Sequence, residues 1–190
     1  MPQRTDGTSS HPTHLPHRIP AALSLVGFMG AGKTTIGQAL AAKLGWRFLD
    51  LDDLIETRER RTVADIFQQS GENAFRDLER QLLRETIAAP TIARTVLSLG
   101  GGAFIDNTNQ SLLRENEVPA VFLDAPAEEL FRRCQQPGVD RPLLRDHGGF
   151  CELYERRRPA YLNAALSVQT AGREIASIVD EIITRLGLGE

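Results

Sequence analysis

Residues Gly27 to Thr34, GFMGAGKT, combine three glycines, one of the chain's two lysines and a hydroxyl. The pattern Gly27-x-x-x-x-Gly32-Lys33-Thr34 is that of a P-loop, in which backbone N–H groups surround phosphate oxygens at the start of a helix. Lys33 suits the β- and γ-phosphates, and the Thr34 hydroxyl suits Mg²⁺. The alternative is a glycine-rich turn with a surface lysine. The stretch therefore predicts a nucleotide-phosphate site, although regulators and motors use the same loop.

Short apolar runs alternate with helical patterns along the rest of the chain. The apolar runs suit buried strands and cover residues 21–26, 46–53, 95–102, 119–124 and 166–170. Helical spacing of apolar residues covers 34–44, 54–61, 62–70, 72–88, 127–134, 151–165 and 175–186. Strands that alternate with helices predict an α/β fold with a parallel five-stranded sheet flanked by helices.

Three glycine-rich or acidic segments come directly after predicted strands. They are the loop Gly27–Thr34, the acidic segment Asp50–Asp53 and the triplet Gly100–Gly102. Ligands of parallel sheets bind beyond the carboxyl ends of the strands, at one edge of the sheet. We therefore expect all three segments to face one crevice.

Length and composition favour one soluble domain. The chain has 190 residues, of which 41% are hydrophobic and 25% charged, and its first twenty are rich in Pro, Ser, Thr and His. We expect a disordered leader over residues 1–20 and a single domain over residues 21–190. His11, His14 and His17 recur every three residues, but a tail broken by prolines fixes no metal geometry.

Net charge and cysteine use restrict the partners and the compartment. With a formal charge of −3, the chain lacks the positive potential that a general nucleic-acid binder needs. No apolar run approaches the ~20 residues that cross a bilayer. Two cysteines, Cys134 and Cys151, and no apolar signal segment favour a reducing compartment, so we expect a cytoplasmic protein. We expect a monomer without nucleic-acid or membrane partners.

Two predicted strand ends offer the carboxylate that a P-loop enzyme needs near Mg²⁺. Asp50 and Asp52 lie two residues apart, so on an extended segment they would project to one side and divide metal and acceptor hydroxyl between them. The alternative is that one of them caps a helix beginning near Leu54. Asp124 resembles the usual acid after an apolar strand, but capping of the next helix is an adequate explanation for it.

Two other segments are weighed as candidate binding sites, one for its charges and one for its glycines. GENAFRDLE places Glu72, Arg76 and Glu79 along one helical face, where a solvated salt-bridge stripe is the favoured interpretation from the residues alone. The triplet Gly100–Gly102 is harder to explain by structure alone, because glycines lose backbone entropy on folding unless something must approach closely. A small ligand packed against this backbone would explain it.

Together these motifs resemble the shikimate kinase family. The resemblance runs from about Leu23 to Leu186 and includes, in order, GAGKT, FLDLDD, GENAFR followed by Glu79, SLGGG, DRPLL and RRPAY. It implies a small P-loop fold like that of nucleoside-monophosphate kinases, with a mobile lid over about residues 134–149. It also implies transfer of the γ-phosphoryl group of ATP to the 3-hydroxyl of shikimate, with Mg²⁺, on the route to chorismate.

On the acceptor side, the resemblance implies that Asp52 binds the shikimate hydroxyls and accepts the reacting proton. Arg76 and Arg157 would grip the substrate carboxylate, and Glu79 would keep Arg76 in place. The residues expected to bind substrate are Asp52, Arg76, Gly100, Gly101, Gly102 and Arg157, with the glycines offering their backbone.

On the ATP side, the resemblance implies a longer set of contacts. The residues expected to bind ATP are Gly30, Ala31, Gly32, Lys33, Thr34, Thr35, Arg133, Arg141 and Arg173. Arg141 would come from the lid, and Arg133 and Arg173 would lie near the adenine. Thr34 would ligate Mg²⁺, with Asp50 nearby through water. Lys33 and Arg141 would join Asp52 as catalytic residues by spreading the developing negative charge.

Two other functions stay open. A related small-molecule kinase, such as one acting on gluconate, would share the P-loop but should lack the paired arginines beside a glycine triplet. A ligand-sensing domain of the same fold, as occurs attached to DNA-binding regulators, would bind without turnover. Against the sensing domain, the segment before Leu23 is too short for a helix-turn-helix, and every expected chemical position is filled.

Overall fold

The computed structural model describes residues 20–135 and 146–189. Within these ranges the strands are β1 (Ala22–Val26), β2 (Arg47–Asp50), β3 (Thr95–Ser98), β4 (Ala120–Asp124) and β5 (Leu166–Gln169). The helices are α1 (Lys33–Leu44), α2 (Leu51–Glu59), α3 (Val63–Ala88), α4 (Asn107–Glu115), α5 (Ala127–Cys134), α6 (His147–Tyr161) and α7 (Ile175–Leu186). Two 3₁₀ helices, Pro90–Ile92 and Ala103–Ile105, lie before and after β3.

The five strands form one parallel sheet in the order β2-β3-β1-β4-β5. The strands β1, β3 and β4 are buried along their whole length, which explains their uninterrupted apolar sequences. The predicted parallel five-stranded sheet flanked by helices is confirmed. Because β3 and β4 lie on opposite sides of β1, the carboxyl end of β1 is a topological switch point, where ligands of such sheets bind.

Helices cover both faces of this sheet. Val26 pairs in register with Phe122, so these two side chains share one face, and Leu25 points to the other. The Phe122 ring stacks on Tyr161 of α6 with centroids 5.2 Å apart. On the opposite face, Leu25 lies close to Gly37 of α1. The sheet is therefore enclosed between α6 and α1, and only its ends remain for a site.

The helices between β2 and β3 follow the sequence-based prediction in one respect and differ from it in another. Residues 62–70 and 72–88 were expected as separate helices, and Gly71, whose φ of 81° and ψ of 171° are not helical, divides α3 into two helical segments at that position. The strand expected over residues 46–53 ends at Asp50, because α2 begins at Leu51. Asp52 therefore lies in the first turn of α2. The sequence-based prediction had placed it on an extended segment.

Helix α4 was not predicted from the sequence. The segment NTNQSLLRE lacks a regular apolar stripe, because it buries the polar residues Asn109 and Gln110. Both amides donate to the preceding 3₁₀ helix: Asn109 Nδ2 to Ala103 O at 2.9 Å, and Gln110 Nε2 to Phe104 O at 2.8 Å. These bonds satisfy buried carbonyls, and they fix the segment that directly follows Gly100–Gly102.

No helix within the described part of the chain is both long and apolar enough to cross a bilayer. Cys134 is buried and Cys151 is partly exposed.

Candidate active site

The P-loop connects the carboxyl end of β1 to α1. Gly27, Gly30 and Gly32 all have positive φ, at 147°, 80° and 89°, which bends the backbone in a way that side chains would resist. Gly32 is the N-cap of α1 and has no side chain with which to cap the amides of the first turn. An anion at this helix start would therefore meet backbone N–H donors and the positive end of the helix dipole.

Lys33 and Thr34 lie at the start of α1 and point to different partners. Lys33 Nζ donates to the carbonyl oxygens of Gly27 and Phe28 at 3.0 and 3.3 Å, so the ammonium lies over the P-loop backbone. Thr34 Oγ1 donates to Asp50 Oδ2 at 3.2 Å. Ala31 is buried beneath the loop, and Thr35 is exposed.

Asp50 caps a helix, which was the structural alternative, and also places one oxygen beside the P-loop. It is the N-cap of α2, where its Oδ1 accepts from Asp52 N at 3.1 Å, and its other oxygen meets Thr34. A carboxylate at a helix N-terminus is stabilised by the dipole. Because only one oxygen serves the cap, Asp50 still offers the other beside the P-loop.

Asp52 lies against the first glycine of the triplet. A Cβ built on Gly100 would lie 2.6 Å from Asp52 Oδ1, so a side chain at this position would displace the carboxylate. Burial and the charge of Asp50 raise the pKa of Asp52, and Lys33 and Arg76 partly offset them. Asp52 is thus a stronger base than a free aspartate.

Arg76 lies against the last glycine of the triplet. A Cβ on Gly102 would lie 2.5 Å from Arg76 Cζ, so only glycine leaves room for the guanidinium. Arg76 Nη1 donates to Glu79 Oε2 at 2.8 Å, and Arg76 Nη2 lies 3.4 Å from Glu72 Oε1. The three residues share one helical face, but the solvated stripe favoured from the residues alone is wrong, because Glu79 is buried and only Glu72 lies at the exposed end.

Glu79 is buried deeply enough to change its acidity. It is 1% exposed, and its second oxygen, Oε1, has no hydrogen-bond partner among the described residues. Burial raises the pKa of Glu79 to about 6, although Arg76 acts in the opposite direction. The Arg76–Glu79 pair is thus a partly desolvated ion pair with one unsatisfied oxygen.

Arg157 and Tyr161 of α6 meet the middle glycine. Arg157 Nη1 donates to Gly101 O at 3.4 Å, and the Tyr161 hydroxyl donates to the same carbonyl. A Cβ on Gly101 would lie 3.8 Å from Gly27 O, so the triplet also adjoins the P-loop. Burial raises the pKa of Tyr161 to about 12, against the opposing charges of Arg157 and Arg76.

Aromatic rings surround both arginines. Arg76 Cζ lies 5.1 Å from the Phe75 ring centroid and 5.8 Å from that of Phe67, and Arg157 Cζ lies 5.9 Å from that of Phe28. Cation–π contact of this kind orients a guanidinium without using its N–H donors. The donors that remain can therefore face a ligand.

The other arginines on the expected ATP side lie around the end of β5. Arg133 Nη2 donates to Thr170 O at 3.1 Å, and Arg173 Nη1 donates to Gln169 O at 3.0 Å. Arg133 also lies 3.4 Å from the Gly30 carbonyl oxygen. The structure thus brings Arg133 and Arg173 to one loop beside the P-loop. Arg141 and most of the expected lid lie outside the described residues.

Asp124 is not the helix cap that its sequence context suggested. Its carboxylate does not cap α5, whose N-cap is Pro126 without a side-chain bond. The carboxylate accepts instead from Tyr154, Arg158 and Gln169. Capping seemed adequate because the sequence DAPAEE looks like a helix start, but the partners of Asp124 come from distant α6 and β5. The pattern Arg-x-Pro-x-Tyr marked Arg157 and left Tyr154 and Arg158 unnoticed.

The residues around Thr34 and Asp50 fit a magnesium ion. Among residues 20–135 and 146–189, no cluster of three or more His, Cys, Asp or Glu could enclose a metal. Mg²⁺ does not require such a cluster, since it commonly keeps several waters and takes one or two carboxylates together with substrate phosphates. Hard oxygen donors 3.2 Å apart at the edge of the P-loop are this kind of donor set.

A family model for shikimate kinase matches residues 29–187, which include the P-loop from Met29 onward, the acids, the glycine triplet and both arginines. The chain belongs to the shikimate kinase family. The resemblance seen in the motifs is thereby confirmed. A shikimate kinase from Persephonella marina is 40% identical over 163 residues, which cover 85% of this chain and 96% of the relative.

Solved shikimate kinases have the same fold. The enzyme from Bacteroides thetaiotaomicron aligns with a TM-score of 0.79 and 33% identity, over 88% of this chain and 98% of that one. A shikimate kinase from Acinetobacter baumannii in complex with shikimate aligns with a TM-score of 0.78 and 31% identity, over 88% and 93%. This shikimate kinase family member is therefore an ATP-dependent small-molecule kinase.

A gluconokinase from Sinorhizobium meliloti shares the architecture at greater distance. It aligns with a TM-score of 0.52 and 19% identity, over 90% of this chain and 94% of that one. Likeness at this level concerns the fold alone, because one fold supports many substrates. In this shikimate kinase family member, Arg76 and Arg157 lie beside the glycine triplet.

Proposed function

We propose that this chain transfers the γ-phosphoryl group of ATP to the 3-hydroxyl of shikimate, giving shikimate 3-phosphate and ADP for chorismate and aromatic amino-acid synthesis. One observation carries the proposal. Asp52, Arg76 and Arg157 contact the three consecutive glycines of Gly100–Gly102, next to the P-loop. A carboxylate base and two arginines around a glycine backbone suit a hydroxy-acid acceptor that lies next to the phosphates of ATP.

Arg76 and Arg157 bind the carboxylate of the acceptor. Both are half-buried, and Arg76 already bonds to a buried acid through one nitrogen. Charge-assisted bonds to a carboxylate are strong and directional, and a neutral sugar would offer no charged partner to Arg157 or to the remaining donors of Arg76. The pair therefore selects an acid and fixes the orientation of its ring. The carbonyl of Gly101 and the neighbouring backbone hold the other side.

Asp52 binds the ring hydroxyls and accepts the proton of the reacting one. Its raised pKa makes the carboxylate a better proton acceptor, and the charges of Lys33 and Arg76 partly offset this rise. Phosphoryl transfer relies on positioning and charge stabilisation, so no covalent enzyme intermediate is needed. Glu79 keeps Arg76 in place.

The P-loop backbone from Gly30 to Thr35 binds the ATP phosphates, and Lys33 stabilises the charge that develops during transfer. Arg133 and Arg173 contact the adenine side, and Arg141 meets the phosphates. Thr34 and Asp50 are the residues that would hold Mg²⁺, with Asp50 acting through water. When bound, Mg²⁺ neutralises charge on the phosphate oxygens.

An ADP-coupled assay with purified protein, Mg-ATP and a panel of hydroxy acids tests this function. We expect ADP release with shikimate and little with gluconate or without an acceptor. Preference for gluconate would refute the substrate assignment. Calorimetric binding of both ligands without ADP release would instead support a sensing domain. Loss of turnover in EDTA, restored by added Mg²⁺, would support the metal assignment.

A further inference from the structure

Helix α6 is attached to the rest of the domain by two pairs of side chains, each spaced four residues apart. Tyr154 and Arg158 bond to the carboxylate of Asp124 at the end of β4. Arg157 and Tyr161 bond to the carbonyl of Gly101. Residues at i and i+4 lie one above the other on a helix, so each pair forms a separate stripe.

The attachment at Asp124 is buried and fully bonded. Tyr154 Oη donates to Asp124 Oδ1 at 2.6 Å, and Arg158 Nη2 and Gln169 Nε2 donate to Asp124 Oδ2 at 2.8 and 3.0 Å. Arg158 Nε also donates to the Tyr154 hydroxyl at 3.1 Å, which closes a triangle. Asp124 is 3% exposed. Burial by itself would raise the pKa of Asp124, but the bonds from Arg158, Tyr154 and Gln169 lower it below its usual value.

These partners leave Asp124 unsuited to the metal role that its strand-end position suggested. Both of its oxygens already accept hydrogen bonds, and three donors surround them. A metal ion at this position would have to displace a guanidinium and a buried hydroxyl, each at a desolvation cost. Arg158 balances the charge of the Asp124 carboxylate, so Asp124 serves the helix and not the metal.

Helical geometry connects this cluster to the substrate site. Consecutive residues of an α-helix point about 100° apart. Once Tyr154 and Arg158 are bonded to β4, the rotation of α6 about its axis is fixed, and Arg157 must point to one side of that stripe. In the structure this direction leads to Gly101. Tyr154 also packs edge-on against Phe28, with centroids 5.5 Å apart, and Arg157 lies over the same ring.

We propose that Asp124, Tyr154 and Arg158 are positioning residues for Arg157: by fixing the rotation of α6, they aim its guanidinium at Gly101 and at the substrate carboxylate. The proposal rests on the proposed function in one respect, which is that Arg157 binds this carboxylate. It assigns a role in acceptor binding to three residues that contact neither substrate.

Calorimetric titration of shikimate and, separately, of Mg-ADP tests the proposal on Arg158→Met. We expect the Kd for shikimate to rise about tenfold, since small misplacements of a binding group have large effects, and the Kd for Mg-ADP to change less than about twofold. Arg158→Lys, which restores a cation, should recover part of the loss. Arg156→Met is the matched control. Arg156 is exposed on the same helix, and its side chain makes no hydrogen bond to the described residues. It should bind both ligands normally.

The decisive variant combines Arg158→Met with Arg157→Ala. If Arg158 acts through Arg157, its replacement should not weaken shikimate binding further once Arg157 is gone. A further tenfold loss in the double variant, or unchanged shikimate binding in Arg158→Met, would overturn the proposal. Should Arg158→Met fail to fold, Tyr154→Phe removes one hydroxyl from the same cluster, and the same outcomes apply.

These results are distinguishable from failure of the proposed function. Absence of ADP release by the wild type would refute kinase activity, but the titrations would still report the positioning of Arg157. Normal shikimate binding by Arg157→Ala alone would refute the clamp itself, and the positioning proposal with it.

Discussion

The guanidinium of Arg76 fills the space that a side chain at Gly102 would need. Gly102 has a φ of −105° and a ψ of −20°, which alanine adopts without strain, so the glycine is required only by this contact. The obstacle is the end of a flexible side chain and not backbone. A methyl group at this position would therefore displace Arg76 and leave the fold intact.

For Gly102→Ala we expect only a small change in melting temperature, because the about 0.4–1 kcal/mol gained by restricting the unfolded chain offsets part of the cost of moving Arg76 away from buried Glu79. The KM for shikimate should rise at least about tenfold, and the KM for ATP should stay within about twofold. Steady-state kinetics and thermal unfolding measure both effects. Gly189→Ala, near the end of the chain where a Cβ meets only Ile183 at 3.4 Å, is the control. A cooperative loss of stability would contradict the contact described.

Arg157→Ala should weaken shikimate much more than ATP. Loss of a charge-assisted bond in a half-buried site costs about 2–3 kcal/mol, which corresponds to roughly 30- to 150-fold in affinity. Separate KM measurements for the two substrates test this, with Arg156→Ala as the neighbouring control on α6. Equal losses for both substrates would count against the assignment of Arg157.

Lys33→Ala should chiefly depress turnover. Removal of one preorganised donor to developing charge costs about 10²- to 10³-fold in kcat. The chain offers a matched control in its other lysine, Lys43, which is exposed at the far end of α1 and pairs with Asp180 on the surface. Lys43→Ala should have normal kcat. Unchanged turnover in Lys33→Ala would remove Lys33 from the mechanism.

Glu79 should make the stability of the protein depend on pH. Its pKa rises from 4.5 to about 6 on folding, so between these values the folded state binds the proton more tightly than the unfolded chain. The contribution of Glu79 is therefore fully present below pH 4.5 and is lost as pH rises through 6, by roughly 2 kcal/mol. Urea unfolding of wild type and Glu79→Gln between pH 4 and 7 measures it. The difference in unfolding free energy, wild type minus variant, should fall as pH rises; a constant or rising difference would contradict the burial of an ionised Glu79.

The sequence was sufficient for the sheet and for the P-loop because both depend on local patterns. A buried parallel strand has an apolar run that ends in glycine or aspartate, and the phosphate loop has fixed spacing. Gly27–Thr34, Asp50 and Gly100–Gly102 could be placed at one edge of the sheet because each comes at the carboxyl end of a predicted parallel strand. Family motifs then selected Arg76 and Arg157 among twenty arginines.

Features that depend on distant partners could not be predicted in this way. Asn109 and Gln110 are polar, so α4 lacks the apolar stripe that marks a helix, and their carbonyl partners become visible only in the folded chain. Asp124 has a sequence context that suits a cap, but its donors lie 30, 34 and 45 residues away. The reason for the glycine triplet was likewise hidden, because the approaching groups come from α2, α3 and α6.

The contacts at Gly100 and Gly102 also limit how this enzyme can change its acceptor over evolutionary time. Each of these two positions is closed to larger residues by a side chain of the proposed acceptor site, so the loop cannot acquire new side chains without displacing Asp52 or Arg76. A lineage that adopts another substrate must therefore alter the surrounding helices before it can alter the loop itself.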